Sequence, residues 1–102
     1  MEKKAIKKDI FEGFGKSGKV IVEFYSESCR PCRTMEPIVE KLTESSPDIS
    51  VAQVDVVKEP ELADDFGIRR VPSFVIIKDG AEVARRHGAC SFTEMEKFVS
   101  AN

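Results

Sequence analysis

The order of three apolar segments in the first half of the chain restricts the fold more than any other feature. Residues 20–25 form a β-prone run, residues 32–45 carry apolar side chains at helical spacing, and residues 49–56 form a second β-prone run. A pattern of about 30 residues in this order is typical of a strand–helix–strand unit with parallel strands and a right-handed crossover. The run 20–25 is apolar on both faces, which predicts a central strand covered from both sides. We therefore expect an α/β fold.

Two more helices are predicted around this unit. Apolar residues at positions 6, 10, 11 and 14 predict an amphipathic helix over about 3–15. Pro60 suits the first turn of a short helix, and Gly67 is typical of the residue that stops one. Pro31 suits the first turn of the helix at 32–45 in the same way.

The last third of the chain predicts a hairpin followed by a helix. Residues 73–78 and 81–87 form two strand-like runs, and Asp79-Gly80 between them is a strong hairpin signal. The second run is mixed and charged, as an edge strand should be. Ser91, with Glu94 three residues later, indicates a capping box that opens the final helix. The sum is a mixed sheet with helices on both faces.

Composition narrows the class of protein and its partners. The 102 residues are 41% hydrophobic and 33% charged, which predicts one domain over residues 1–102. Sixteen basic against eighteen acidic residues give a net charge of −2, so no basic excess points to nucleic acid or to anionic lipid. No apolar run approaches the ~20 residues of a membrane span, and the N-terminus lacks the apolar segment of a signal peptide. Three cysteines are too few for a disulfide framework. We expect a cytoplasmic monomer.

Two of the cysteines form a C-x-x-C motif between the end of a strand and the start of a helix. Unpaired N–H groups at a helix N-terminus favour an anion there, and Arg30 and Arg33 add positive charge beside Cys29. Both effects are expected to lower the Cys29 pKa. A thiol with a pKa of ~8.5 is about 3% thiolate at pH 7, whereas one near ~7 is about half ionised. The larger benefit is that a stabilised Cys29 thiolate leaves readily when Cys32 attacks a mixed disulfide.

Glu23 interrupts the apolar run 20–25. By strand periodicity it shares a face with Ile21 and Tyr25, so its carboxylate is expected to be at least partly buried. Burial of the carboxylate, with no lysine beside it to stabilise the negative charge, should raise the Glu23 pKa. A buried Cys32 needs a base, and Glu23 is the candidate. The alternative is a carboxylate with a structural role only.

From about Gly18 to Asn102 the chain resembles the thioredoxin family. The resemblance covers more than four-fifths of the chain and rests on motifs in the family's order. The matching pieces are Val22-Glu23-Phe24-Tyr25, Cys29-Arg30-Pro31-Cys32, Val54-Asp55-Val56, Phe66-Gly67-Ile68-Arg69-Arg70-Val71-Pro72-Ser73-Phe74, Lys78-Asp79-Gly80 and Gly88-Ala89.

The resemblance implies a role for each matching position. Cys29 would be the attacking thiol and Cys32 the resolving thiol. Pro72 would be a cis-proline packed against the active site, the backbone of Val71 would pair with the substrate chain, and Gly88 would complete a flat docking surface. The implied activity is a thiol–disulfide oxidoreductase that reduces protein disulfides.

The same resemblance implies which group carries the electrons, what supplies them and where clients would bind. No bound cofactor is needed, because the Cys29–Cys32 disulfide is itself the redox group. Electrons would come from a reductase that the sequence does not identify. Arg30 and Pro31, between the two cysteines, are expected to contact disulfide-containing client proteins.

The chain departs from the family at positions around the motif. Ser28 and Tyr25 stand where the family usually has Trp, Arg30 replaces Gly, Glu23 replaces Asp, and Gln53 replaces a neighbouring Lys. The first strand of the family is reduced or absent. Because its charge favours the thiolate, Arg30 is expected to make the disulfide more oxidising than a Gly-Pro motif would.

The basic pair Arg69-Arg70 lies beside the expected docking loop. Two positive charges at that place suggest a client or reductase with an acidic rim.

Other interpretations of the same residues remain open at this point. Cys29, Cys32, His87 and Cys90 make a nominal Cys₃His zinc set, and the two motif cysteines could also be inert core thiols. Cys90 is either a small apolar residue or a third redox-sensitive thiol, and His87 is either a solvated edge residue or a charge near the site. A thioredoxin fold retained only as a binding module is the alternative function.

Overall fold

A computed structural model describes residues 19–102, so the predicted helix at 3–15 lies outside the described residues. So does the part of the chain that would hold the first strand of the family. The described part contains four strands and three helices, whose bounds follow in chain order. They are β1 (Lys19–Tyr25), α1 (Arg30–Ser45), β2 (Ser50–Asp55), α2 (Pro60–Asp65), β3 (Ser73–Lys78), β4 (Ala81–His87) and α3 (Phe92–Ala101).

The four strands form one mixed sheet in the order β2-β1-β3-β4. β1 runs parallel to β2, which confirms the predicted strand–helix–strand unit, and antiparallel to β3. Among the strands of residues 19–102, β4 pairs with β3 alone, and it is largely exposed, as predicted for an edge strand. The register places Phe24 opposite Ser73 and Ser73 opposite His87. The end of β1, the start of β3 and the end of β4 therefore meet along one edge of the sheet, an edge formed by strand ends and not by an outer strand.

Apolar side chains from alternate positions of the strands bury both faces of the sheet. Five consecutive residues of β1, from position 20 to 24, are buried, as expected for a central strand covered on both sides. One face is covered by α2 through Leu62, and the other by α1 and α3 through Met35, Leu42 and Met95. The predicted class, an α/β fold with helices on both faces of a mixed sheet, is confirmed.

Local sequence signals decide where the elements begin and end. Asp79 and Gly80 both have positive φ angles, 54° and 82°, which the two central residues of a tight hairpin turn require. Ser91 and Glu94 form both hydrogen bonds of the predicted capping box. Gly67, with φ at 68°, follows the end of α2 and donates its N–H to the Asp64 carbonyl at 2.9 Å.

Two predicted boundaries were displaced. The helix expected at 32–45 begins two residues earlier, at Arg30, because Cys29 acts as its N-cap. The strand expected at 49–56 covers only Ser50–Asp55. Beyond Asp55 the chain turns, since the Asp55 carboxylate accepts hydrogen bonds from the backbone N–H groups of Val57 and Lys58. Within residues 19–102, no helix has the length and apolar character needed to cross a bilayer.

Candidate active site

Cys29 and Cys32 are joined by a disulfide at the start of α1, with their Cα atoms 5.3 Å apart. Cys29 is the N-cap of the helix, and its Sγ accepts a hydrogen bond from the Cys32 N–H at 3.2 Å. The two sulfurs differ in exposure, because Cys29 is half-buried whereas Cys32 is only 4% exposed. An incoming disulfide therefore reaches Cys29 more easily than Cys32.

The residue that follows each cysteine, Arg30 after Cys29 and Arg33 after Cys32, is exposed and basic. Arg30 and Pro31 form the first turn of α1 and face solvent. Arg33 donates from Nη2 to the Glu27 carbonyl at 2.8 Å, which ties the helix to the loop before it. The first turn of α1 contains no acidic residue. The helix N-terminus and these guanidinium groups together favour negative charge on Cys29 when the disulfide is reduced.

Glu23 is buried in the centre of the sheet, 1% exposed. Its Oε1 accepts a hydrogen bond from Nε2 of Gln53, on the paired strand β2, at 3.0 Å. Loss of hydration raises the pKa of Glu23 above its usual value. The Gln53 hydrogen bond offsets part of that rise, and the charge of Glu36 adds to it. The expected burial and the expected direction of the pKa shift are both found.

A cleft of about 320 Å³ brings Glu23 and Cys32 to the same space. Its lining includes Arg33, Glu36 and Gln53, and none of the described residues that line it is a lysine. Glu36 was not singled out from the sequence, although it follows Cys32 by four residues and such pairs share a helix face. The cleft offers a route by which water and protons reach the buried thiol and carboxylate.

The expected docking loop lies at the same edge of the sheet as the disulfide. The Val71–Pro72 peptide bond is cis, as the resemblance implied. The Gly88 N–H donates to the Pro72 carbonyl at 2.8 Å, and Gly88 has a φ of 89°, a left-handed conformation that favours glycine. Val71 is half-buried and packs against the apolar cluster on the α2 face of the sheet. The fold thus brings Val71, Pro72 and Gly88 together.

His87 and Ser73 form a contact that sequence reasoning missed. Ser73 Oγ lies 2.7 Å from His87 Nδ1 and 2.6 Å from the Arg70 carbonyl oxygen. The ring of His87 is exposed, but it is not simply a solvated edge residue, because one nitrogen is bound to a fully buried serine. The contact between Ser73 and His87 can be predicted only when the β3–β4 register is known, since that register makes the two residues cross-strand partners.

The third cysteine does not extend the site. Cys90 is half-buried, packs against the cluster under α1 and α3, and donates its N–H to Met35 Sδ at 3.3 Å. Burial raises the pKa of the Cys90 thiol, which favours the small-apolar interpretation over a reactive thiol. The nominal zinc set is not assembled, because residues 19–102 hold no cluster of three or more His, Cys, Asp or Glu able to bind a metal.

Known proteins resemble this chain in both sequence and fold. The family model described as Thioredoxin matches residues 2–101. A thioredoxin from Chlamydia muridarum is 32% identical over 95 residues, covering 93% of both chains. The solved thioredoxin of Fasciola hepatica has a TM-score of 0.84 at 35% identity, covering 94% of this chain and 89% of that one. Thioredoxin NaTrxh of Nicotiana alata has a TM-score of 0.88 at 26% identity, covering 98% and 86%.

Proposed function

Because the chain belongs to the thioredoxin family of thiol–disulfide oxidoreductases, we propose that it reduces disulfide bonds of client proteins by dithiol exchange through Cys29 and Cys32. The observation that carries the proposal is the asymmetry of the two sulfurs. One is reachable at a helix N-terminus, and the other is buried in a cleft that it shares with a carboxylate. That arrangement suits a nucleophile and a resolving thiol. Proteins of this family use no cofactor beyond the redox-active disulfide.

In the first step the Cys29 thiolate attacks one sulfur of the client disulfide. A bond forms between Cys29 and that sulfur, the client's sulfur–sulfur bond breaks, and the other client sulfur leaves as a thiolate. The amide dipoles of the first turn of α1 and the nearby Arg30 stabilise the attacking anion. The backbone of Val71 holds the client chain, while Pro31, Pro72 and Gly88 shape the surface against which it lies.

In the second step Cys32 attacks Cys29 of the mixed disulfide. The Cys32 thiol must lose its proton, and Glu23 is the candidate acceptor because it lines the same cleft and is buried, whereas Glu27 and Glu36 of that cleft are exposed. A raised pKa makes Glu23 a better proton acceptor than an ordinary carboxylate at neutral pH. The Cys29–Cys32 disulfide forms, and the client leaves as a dithiol once both of its thiolates have taken up protons, one of them lost by Cys32 and the other from water. Two electrons have then passed from this protein to the client.

The cycle requires a partner on each side. A disulfide-containing client receives the electrons, and a reductase with its own dithiol or equivalent two-electron donor returns the oxidised protein to its dithiol form. We propose that both partners dock on the same edge of the sheet, since both must reach Cys29.

Insulin reduction with dithiothreitol as the electron source tests the activity. The full chain should accelerate precipitation of the reduced insulin chains above the rate with dithiothreitol alone. Cys29→Ser should abolish the acceleration because it removes the nucleophile. Cys90→Ser, the matched control at the third cysteine, should keep it. Absence of acceleration by the full chain, with partner binding retained, would favour the binding-module alternative.

The order of the two thiols is tested by trapping. Cys32→Ser should accumulate a mixed disulfide with a client through Cys29, because the resolving sulfur is missing. Glu23→Gln should form the same adduct but release it more slowly than the unchanged chain. Mass spectrometry of the adduct identifies the joined cysteine, and an adduct through Cys90 instead would contradict the assigned order.

A further inference from the structure

His87 and Ser73 lie at the joint between the edge strand and the expected docking loop. Ser73 is the first residue of β3, follows Pro72 directly and has no exposed surface. His87 is the last residue of β4 and pairs with Ser73 across the ladder. The next residue, Gly88, is bound to Pro72 through the backbone. A side-chain link and a backbone link therefore join the end of β4 to the same loop.

The two distances at Ser73 fix the direction of its hydrogen bonds. Ser73 Oγ has a single proton, and the Arg70 carbonyl oxygen at 2.6 Å can only accept. The hydroxyl therefore donates to Arg70, and the contact of 2.7 Å with His87 must have Nδ1–H as its donor. The result is a directional relay from His87 Nδ1 through Ser73 Oγ to the Arg70 carbonyl. It survives protonation of the imidazole, because both nitrogens of the cation carry protons.

The far end of this relay fixes a peptide group of the docking loop. The carbonyl of Arg70 and the N–H of Val71 belong to one planar trans peptide, in which they point in opposite directions. Holding the carbonyl on buried Ser73 turns the Val71 N–H away from that side chain. Within the described part of the chain, no acceptor is found for this N–H. It is thus held ready to pair with another polypeptide.

We propose that His87 is a positioning residue for client binding, which acts through Ser73 to orient the Arg70–Val71 peptide. The inference rests on the proposed function, since it assigns to Val71 the pairing with the client backbone. A preorganised peptide group does not have to be ordered when the client binds, which improves binding of polypeptide disulfides. Small disulfides without a backbone do not use this peptide group and gain nothing from it.

Nitrogen NMR on the labelled protein tests the relay without any substrate. His87 is the only histidine in the chain, so its ring signals need no assignment by mutation. Two-bond proton–nitrogen correlations at a pH where the ring is neutral should show the proton on Nδ1. Ser73→Ala should shift the population toward the Nε2–H tautomer. A neutral ring protonated on Nε2 in the unchanged chain overturns the relay.

The kinetic test compares two substrates and three variants. The second-order rate constant of the reduced protein is measured with insulin and with hydroxyethyl disulfide, a small disulfide without a peptide backbone. His87→Ala should lower the insulin rate constant by about tenfold, the scale of one or two hydrogen bonds, and leave the hydroxyethyl disulfide rate within about twofold. His87→Asn places an amide N–H near the position of Nδ1 and should restore most of the insulin rate. His87→Gln, whose amide reaches further, should not.

Three results of the kinetic test would contradict a positioning role for His87. Equal losses with both substrates, no loss with insulin, or failure of the Asn variant to exceed the Gln variant overturns it. The denaturation midpoint of each variant distinguishes a specific effect on insulin from a general loss of folding, because a loss of folding would lower both rates together. Failure of the unchanged chain to reduce insulin would reject the proposed function instead, and the nitrogen spectrum would still decide whether the relay exists.

Discussion

At the scale of single residues, the two cysteines lie among charged groups of opposite sign. Glu23 is buried beside neutral Gln53, and two more glutamates, Glu27 and Glu36, line its cleft. Arg30 places a positive charge between the two cysteines. The chain thus carries a carboxyl group that resists ionisation near Cys32, the proposed resolving thiol, and a cation near Cys29, the proposed attacking thiol.

Glu23→Gln is expected to stabilise the folded protein at neutral pH. Below the ordinary pKa of 4.5, Glu23 is neutral in both the folded and the unfolded state, and the substitution gains nothing. Above the raised folded pKa, the unchanged protein carries a buried carboxylate, which costs about 1.4 kcal/mol for each unit by which the pKa is raised. Gln keeps an acceptor for Gln53. Urea unfolding at several pH values should show a gain that grows above about pH 4.5; a pH-independent difference would contradict it.

Arg30→Gly is expected to make the reduction potential more negative. The guanidinium favours the thiolate of the reduced form, so its loss stabilises the oxidised form relative to the reduced one. An exposed charge interaction of about 0.5 kcal/mol corresponds to a shift of roughly 10 mV for a two-electron couple. Equilibration with a glutathione buffer measures the potential of both proteins. High salt should shrink the difference, and a shift in the opposite direction would refute the role of the charge.

At the scale of elements, helix termini and strand ends decide where chemistry is placed. The N-cap of α1 is Cys29 itself, so the sulfur that caps the helix is also the one proposed as the nucleophile. The last helix begins with Ser91 and Glu94, which cap each other's backbone groups. It packs on the sheet through Met95 and Val99, so the stability of its first turn contributes to the core on the α1 side.

Ser91→Ala is expected to destabilise the protein by about 1 kcal/mol, the usual cost of losing an N-cap side chain. The Ser91 Oγ accepts from the Glu94 N–H at 3.1 Å, and this donor would lose its partner. Ser100→Ala is the matched control on the same helix, because exposed Ser100 only bonds back to the Glu96 carbonyl. Its expected effect is within about 0.5 kcal/mol. Thermal unfolding of both variants makes the comparison, and equal effects would contradict the capping role.

At the scale of the whole molecule, charge is distributed unevenly around the sheet. The chain has a net charge of −2, but exposed Arg69 and Arg70 lie directly before the docking loop, at the edge of the sheet where β1 ends. Lys78 lies at the opposite edge, where it pairs with Lys19. We therefore expect a partner that approaches the disulfide to meet a basic rim on an acidic protein, which would favour clients with acidic residues near their disulfide.

Reversing the two charges of the rim should slow reaction with acidic clients. Arg69→Glu/Arg70→Glu is expected to lower the rate constant for a disulfide peptide flanked by aspartates by about tenfold at low salt, and less at high salt. The double variant Lys78→Glu/Lys97→Glu changes the net charge by the same amount. Both of its positions lie at the far edge, since Lys78 pairs with Lys19 and Lys97 lines a pocket with Lys19. It should have a smaller effect. Equal slowing by the two double variants would show that only net charge matters.

Local signals in the amino-acid sequence were enough to predict the elements of residues 19–102, their order and the cysteine pair. Periodicity of apolar residues, Asp79-Gly80, the Ser91 capping box and the C-x-x-C motif are local signals, and the structure confirms the elements that they predict within residues 19–102. The burial of Glu23 also followed from strand periodicity, because a central strand has no solvent face. The boundary at Arg30 differed because the cysteine itself became the cap.

Contacts between residues that are far apart in the sequence became known from the packed fold. Glu36 joins Glu23 and Cys32 in one cleft because α1 packs over β1, and the sequence does not give the rotation of that helix. Ser73 meets His87 because a particular β3–β4 register makes them partners, with a shift in the ladder between Ile76 and Ile77. A shift by one residue would move each side chain to the opposite face. Pairwise contacts of this kind depend on packing of the whole chain, and no local pattern records them.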